Sequence, residues 1–147
     1  MSIEQNKTII RHFLKKLDEG QDSIEDVCSP QFIAHLPGSS EPADRPGFKQ
    51  FISLFFHAFP DLHHSVDDQV AEGNKVVSRL TVHGTQQGFF QGIAPTGKRV
   101  MFNDIMITRL EGKKIVELWA QFDALGLLQQ LGLLSSLKAS DSQSIPS

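Results

Sequence analysis

The chain has 147 residues, 39% of them hydrophobic, which suffices for one well-buried core and falls short of two ordinary domains. Its formal net charge of -3 leaves no basic field for nucleic acid or anionic lipid, which argues against phosphate-backbone binding as its function. The one cysteine, Cys28, cannot form an internal disulfide, the N-terminus lacks the charged-then-apolar pattern of a signal peptide, and no apolar run is long enough for a bilayer, so a soluble cytoplasmic protein is expected.

In chain order, Ser2 and Gln5 have the spacing of a capping box, and Ile3, Ile10, Phe13, Leu14 and Leu17 follow at helical intervals up to Gly20. A short helix is predicted from Ser23, stopping before Pro30, followed by an extended piece from Gln31 to Leu36 and a turn at Pro37-Gly38. From Pro46, the residues Phe48, Phe51, Ile52, Phe55 and Phe59 mark one face of a helix that Pro60 ends. Beyond it the period changes to two: Leu62, His64 and Val66 alternate with His63, Ser65 and Asp67, and Glu72-Gly73-Asn74 turns the chain into Lys75 to Gly84. A glycine-rich connection from Gly84 to Gly97 leads to a strand from Arg99 to Leu110, and Glu111-Gly112 turns into a last strand from Ile115 to Asp123 with a short helix after it. The segment after Leu134 is small, polar and aperiodic, and disorder is expected there. Helices first and a meander of long strands afterwards predict one α+β domain, residues 1–134, with helices closing one side of a curved sheet around a cavity.

The last strand sorts into an apolar set (Val116, Leu118, Ala120, Phe122) and a mixed set (Ile115, Glu117, Trp119, Gln121, Asp123). A tryptophan is seldom spent on a solvated face, which puts Trp119, Gln121 and Asp123 towards the cavity and leaves the apolar set as an outer face to be covered by a second subunit. Asp123 then reads as a general base whose pKa is raised by apolar neighbours, or as the N-cap of the helix that starts near Ala124. Gln121 reads as an oxyanion donor or a surface glutamine, and His35 as a second acid-base group or a satisfied core histidine. Phe13, Phe55, Phe59 and Met106 supply an apolar substrate wall or plain core. No metal-ligand spacing, phosphate loop or nucleophile elbow occurs, and the absence of tyrosine removes phenol-dependent mechanisms. No metal or organic cofactor is expected.

Phe32 to Pro37, Ala58-Phe59-Pro60-Asp61, the Gly84–Gly97 stretch and the segment from Arg109 to Gly132 together resemble the SnoaL-like polyketide cyclase family across nearly the whole chain before the tail. The resemblance implies an NTF2-like α+β cone, a homodimer through the outer sheet face, no cofactor, and Asp123 as the acid/base of an intramolecular aldol ring closure on a small carbonyl substrate. Two positions depart from the family pattern: Gln86 and Leu118 stand where histidines are common. The same cone also serves as a ligand carrier or dimerisation unit. Related enzymes give two further alternatives, a steroid isomerase, which relies on a tyrosine, and an epoxide hydrolase with an Asp-Arg-Asp set that Arg79 or Arg109 with Asp104 would imitate.

Overall fold

In the computed structural model, residues 2–20 and 23–133 are described, and the predicted tail beyond Leu134 lies outside them. Helix α1 (Ile3–Glu19) opens on the expected capping box: Ser2 Oγ accepts the Gln5 N–H at 3.1 Å and Gln5 Oε1 accepts the Ser2 N–H at 2.9 Å. It buries Ile10, Phe13, Leu14 and Leu17. Helix α2 (Ser23–Val27) leads directly into strand β1 (Cys28–His35), which starts earlier than the sequence pattern predicts and runs through Pro30. The proline is tolerated because β1 is an edge strand and its pairing is irregular between Cys28 and Ile33, where no ladder N–H is demanded of it. Helix α3 (Arg45–Ala58) is capped by Asp44, whose side chain accepts the Gly47 N–H at 2.9 Å, and it buries Phe48, Ile52, Phe55 and Ala58.

The strands β2 (His63–Glu72), β3 (Lys75–Thr85), β4 (Arg99–Glu111) and β5 (Lys114–Phe122) complete a five-stranded sheet in the order β1-β5-β4-β3-β2, and α4 (Ala124–Gln130) follows. All pairings are antiparallel except β1 with β5. The two tight hairpins place Gly73 and Gly112 at positive φ, +59° and +61°, where a side chain would be strained. Strand β2 carries one extra residue between Val66 and Asp68. Before this bulge His64 and Val66 face the helices, and after it Gln69 and Ala71 do.

Among the described residues the helices cover one face of the sheet and leave the other open. One core layer joins Ile10, Phe13, Leu14 and Leu17 of α1 to Val76, Leu80, Met106, Ile115 and Leu118 of the sheet. A second, towards the end of the cone, gathers Phe55, Phe59, Leu62, Val82, Phe90, Phe102 and Leu127. Gln86 holds this end shut. It is fully buried; its Nε2 donates to the Gly88 and Ile93 carbonyls, each at 3.1 Å, and its Oε1 accepts from the Thr96 N–H at 3.1 Å and hydroxyl at 2.7 Å. A position marked only as a lost histidine is thus the clamp of the Gly84–Gly97 connection.

Candidate active site

The helices cover the face of β5 that carries Leu118, Ala120 and Phe122, which inverts the orientation predicted from Trp119; the pairing slips opposite Val116, so Ile115 of the mixed set also lies in that core. Val116 and Leu118 are buried, and Leu118, Ala120 and Phe122 line the cavity between sheet and helices. Trp119 and Gln121 lie on the opposite, convex face, where Gln121 is exposed. His35, paired in register with Trp119, lies there too: the rings stack with centroids 5.2 Å apart and 11° between planes. His35 Nε2 is 2.7 Å from Glu117 Oε2, and the guanidinium of Arg109 donates to Glu117 Oε1 at 3.1 and 3.2 Å. The hydrogen bond from His35, reinforced by Arg109, holds the Glu117 carboxyl below its ordinary range. Asp123 is exposed and takes the capping alternative, its Oδ1 accepting the Gly126 N–H at 2.8 Å. The structure therefore does not bring Asp123, Gln121, His35 and Trp119 into one pocket.

What does line the cavity is Phe13 and Leu17 of α1, Phe51, Ile52 and Phe55 of α3, Leu80, Phe102 and Met106 of the sheet, and two polar residues, His64 and Asp104. Phe13, Phe55 and Met106 thus occupy the predicted wall, whereas Phe59 is buried in the second core layer. The cavity volume is about 60 Å³, far below the roughly 300–1,000 Å³ of pockets for drug-sized ligands, so a ring system is accommodated only if side chains of α3 give way.

Asp104 belongs to the inward set of β4, with Phe102 and Met106 on either side and Leu80 and Phe122 across the ladders. Its Oδ1 is sealed from solvent and has no hydrogen-bond partner among the described residues. Burial pushes its carboxyl up to about 6, opposed by the nearby charge of His64 and by a backbone hydrogen bond from Ile105. On β2, His64 Nδ1 lies 2.6 Å from Asp18 Oδ1, and its backbone N–H donates to Asp18 Oδ2 at 2.8 Å. Sequence patterning held a signal for both: Asp104 interrupts the apolar alternation Val100, Phe102, Met106, and His64 interrupts Leu62, Val66. Arg79 and Arg109 point away from Asp104 to the convex face, to Asp67 at 3.7 Å and to Glu117, so the Asp-Arg-Asp arrangement does not form. Among the described residues no three His, Cys, Asp or Glu side chains cluster as metal ligands, and no helix is long and apolar enough to cross a membrane. Cys28 is buried in apolar surroundings that raise its thiol to about 12, which makes it unreactive.

An α+β cone with helices over a curved, mainly antiparallel sheet and an apolar cavity between them defines the NTF2-like class. Within it, residues 8–131 match the family model of the SnoaL-like polyketide cyclases, and the chain belongs to that family. It is similar to AclR from Streptomyces galilaeus, provisionally a hydroxylase, with 27% identity over 90% of this chain and 87% of that one and a TM-score of 0.83. It is also similar to wild-type IdmH from Streptomyces antibioticus, provisionally a polyketide cyclase, with 28% identity over 87% of this chain and 99% of that one and a TM-score of 0.81. TsrD from Streptomyces laurentii shares 28% identity over 90% of this chain and 98% of that one, with a TM-score of 0.78. A search of curated proteins gave no match.

Proposed function

We propose that this chain is a cyclase-type enzyme without metal or organic cofactor, acting on a small apolar carbonyl compound, with Asp104 in the acid/base role that the family resemblance implied for Asp123. The carboxylate removes a proton next to a carbonyl, the carbanion closes on a second carbonyl, and the proton returns to the new alkoxide. The observation that carries this reading is the sealed, unpartnered Asp104 Oδ1 in a cavity whose other lining is apolar except for His64, because a carboxylate oxygen left without a partner costs stability and a pKa near 6 suits a base at neutral pH. The test is α-hydrogen exchange of cyclopentanone and acetophenone in D₂O, followed by NMR. Asp104→Asn is expected to reduce enzyme-dependent exchange by about 10²- to 10⁴-fold while ketone binding persists. Exchange by the wild type no faster than buffer, for both ketones, overturns the reading, and binding without exchange identifies a carrier.

The homodimer belongs to the same proposal on different residues from those first considered. Val70, Met101 and Ile105 are 58%, 57% and 50% exposed on the convex face, beside Trp119 and Ile107. Such an apolar sheet face is suited to a second copy of the chain. A monomer by light scattering at micromolar concentration contradicts this part.

A further inference from the structure

His64 is placed between two spaces. Its side chain lines the cavity that holds Asp104, and it also lines a surface recess formed with Arg11, Lys15, Asp18 and Glu19 of α1 and His63 of β2. The His64 side chain is 9% exposed and that of Asp18 is 11%, so neither is an ordinary solvated group. A carboxylate only accepts hydrogen bonds, so the 2.6 Å contact to Asp18 Oδ1 keeps a proton on His64 Nδ1. Nε2 has no hydrogen-bond partner among the described residues, and since Nδ1 is taken by Asp18 it is the ring nitrogen free to act on a ligand. Asp18 is shared: its Oδ2 also lies 3.4 Å from His63 Nδ1 at the exposed side. The charged and titratable groups around His64 are therefore Asp18 beneath it, Asp104 across the cavity, His63 beside it, and Arg11, Lys15 and Glu19 along the recess.

We infer that His64 is the second acid/base group of the cavity, donating a proton from Nε2 to the carbonyl oxygen while Asp104 takes the proton from carbon, with Asp18 as its positioning residue and the recess as its connection to solvent. This rests on the reading of Asp104 given above. In ring closure the carbon–hydrogen bond breaks with its proton going to Asp104, the electron pair forms the carbon–carbon bond, and the attacked oxygen receives the Nε2 proton. Asp104 is then protonated and His64 neutral. Passage of one proton from Asp104 to His64 resets the pair, so the reaction is an isomerisation with no net proton change. The arrangement also explains why Asp104 need not perform both transfers itself.

Two measurements test the inference. Long-range ¹⁵N NMR of the imidazole is expected to find neutral His64 protonated at Nδ1, with Asp18→Asn shifting the population towards Nε2–H. In cyclopentanone exchange, which needs Asp104 ionised and His64 protonated, the wild-type pH profile should be bell-shaped, and His64→Gln should lower its maximum about 10- to 100-fold and remove the descending limb at high pH. A purely structural histidine would change the rate without changing the shape. Neutral wild-type His64 with its proton on Nε2, or a His64→Gln profile that matches the wild type in height and shape, overturns the inference. If Asp104→Asn abolishes exchange and His64→Gln does not alter it, only the role of His64 fails. Wild-type exchange at the buffer rate removes both.

Discussion

One carboxylate on α1 holds both the main chain and the ring of an inward residue of β2: Asp18 Oδ2 accepts the His64 N–H at 2.8 Å while its Oδ1 lies 2.6 Å from His64 Nδ1. Two contacts from one rigid group fix position and rotation together. The ring is thereby oriented before any ligand arrives, which is the condition under which a proton donor contributes most.

Asp104 carries a stability cost whose pH dependence follows from its titration. Its folded-state value is raised to about 6 from the ordinary 3.8, so the folded protein holds this proton more tightly than the unfolded chain does. The cost is absent below about pH 4, grows between about pH 4 and 6, and is fully present above that window. A rise from 3.8 to about 6 corresponds to about 3 kcal/mol, and partial solvent access reduces the expectation to about 2 kcal/mol. Asp104→Asn should therefore be more stable than the wild type by about 2 kcal/mol at pH 8 and nearly equal to it at pH 4. Urea denaturation at both pH values checks this, and a variant less stable at pH 8 would refute it.

Asp123→Ala is expected to lose the cap of α4, at a cost of about 0.5–2 kcal/mol, while ketone exchange keeps its rate and pH profile. A large loss of exchange from a well-folded Asp123→Ala protein would return the catalytic role to this residue.

Gln86→Ala removes the acceptor of two Thr96 donors and the side-chain donor to the Gly88 and Ile93 carbonyls, of which Ile93 keeps the Phe90 N–H. Thr96 is exposed and Gly88 and Ile93 are half-buried, so the groups left behind can turn to water; at about 0.5–1.5 kcal/mol for each lost bond, and without additivity, a loss of roughly 1–3 kcal/mol is expected. Thermal unfolding measures the loss, and limited proteolysis should place new cleavage between Gly88 and Gly97.

Phe51 is partly buried and lies against Phe55 at 5.2 Å between ring centroids, on the helix that walls the cavity. Phe51→Ala should enlarge the cavity and tighten binding of acetophenone relative to cyclopentanone, measured by calorimetry. Equal effects on the two ketones would show that the ring does not limit ligand size.

The elements were legible in the sequence because capping, proline stops and periodicity are local signals. Ser2 with Gln5, the phenylalanine face closed by Pro60, and the turns at Gly73 and Gly112 all lie where their patterns put them. The site was less legible. Alternation separated the two faces of β5 from Glu117 onwards but misplaced Ile115, because the register slips opposite Val116 and turns Ile115 into the core, and alternation alone does not say which face is covered. Trp119 favoured the wrong face because its ring is satisfied by a partner 84 residues earlier, His35, through a parallel pairing that no local pattern announces. Asp104 and His64 were visible as polar interruptions of apolar alternation, a weaker cue than the carboxylate at the end of a strand.

The extra residue in β2 has a consequence for how the chain can vary. His64 and Gln69 are five positions apart, an odd number, and in an unbroken strand would face opposite ways. With the bulge both reach α1: His64 meets Asp18, while Gln69 Nε2 donates to the Lys7 carbonyl at 3.3 Å and its Oε1 accepts from Arg11 at 2.6 Å. The spans agree, since five strand steps from His64 to Gln69 and eleven helical steps from Lys7 to Asp18 each cover about 16 Å. The helix is thus pinned at two points by a strand whose phase is set by a single surplus residue. Removing Asp67 would tidy the ladder and yet detach one end of α1, so deletions here should be far less tolerated than any substitution at the same place.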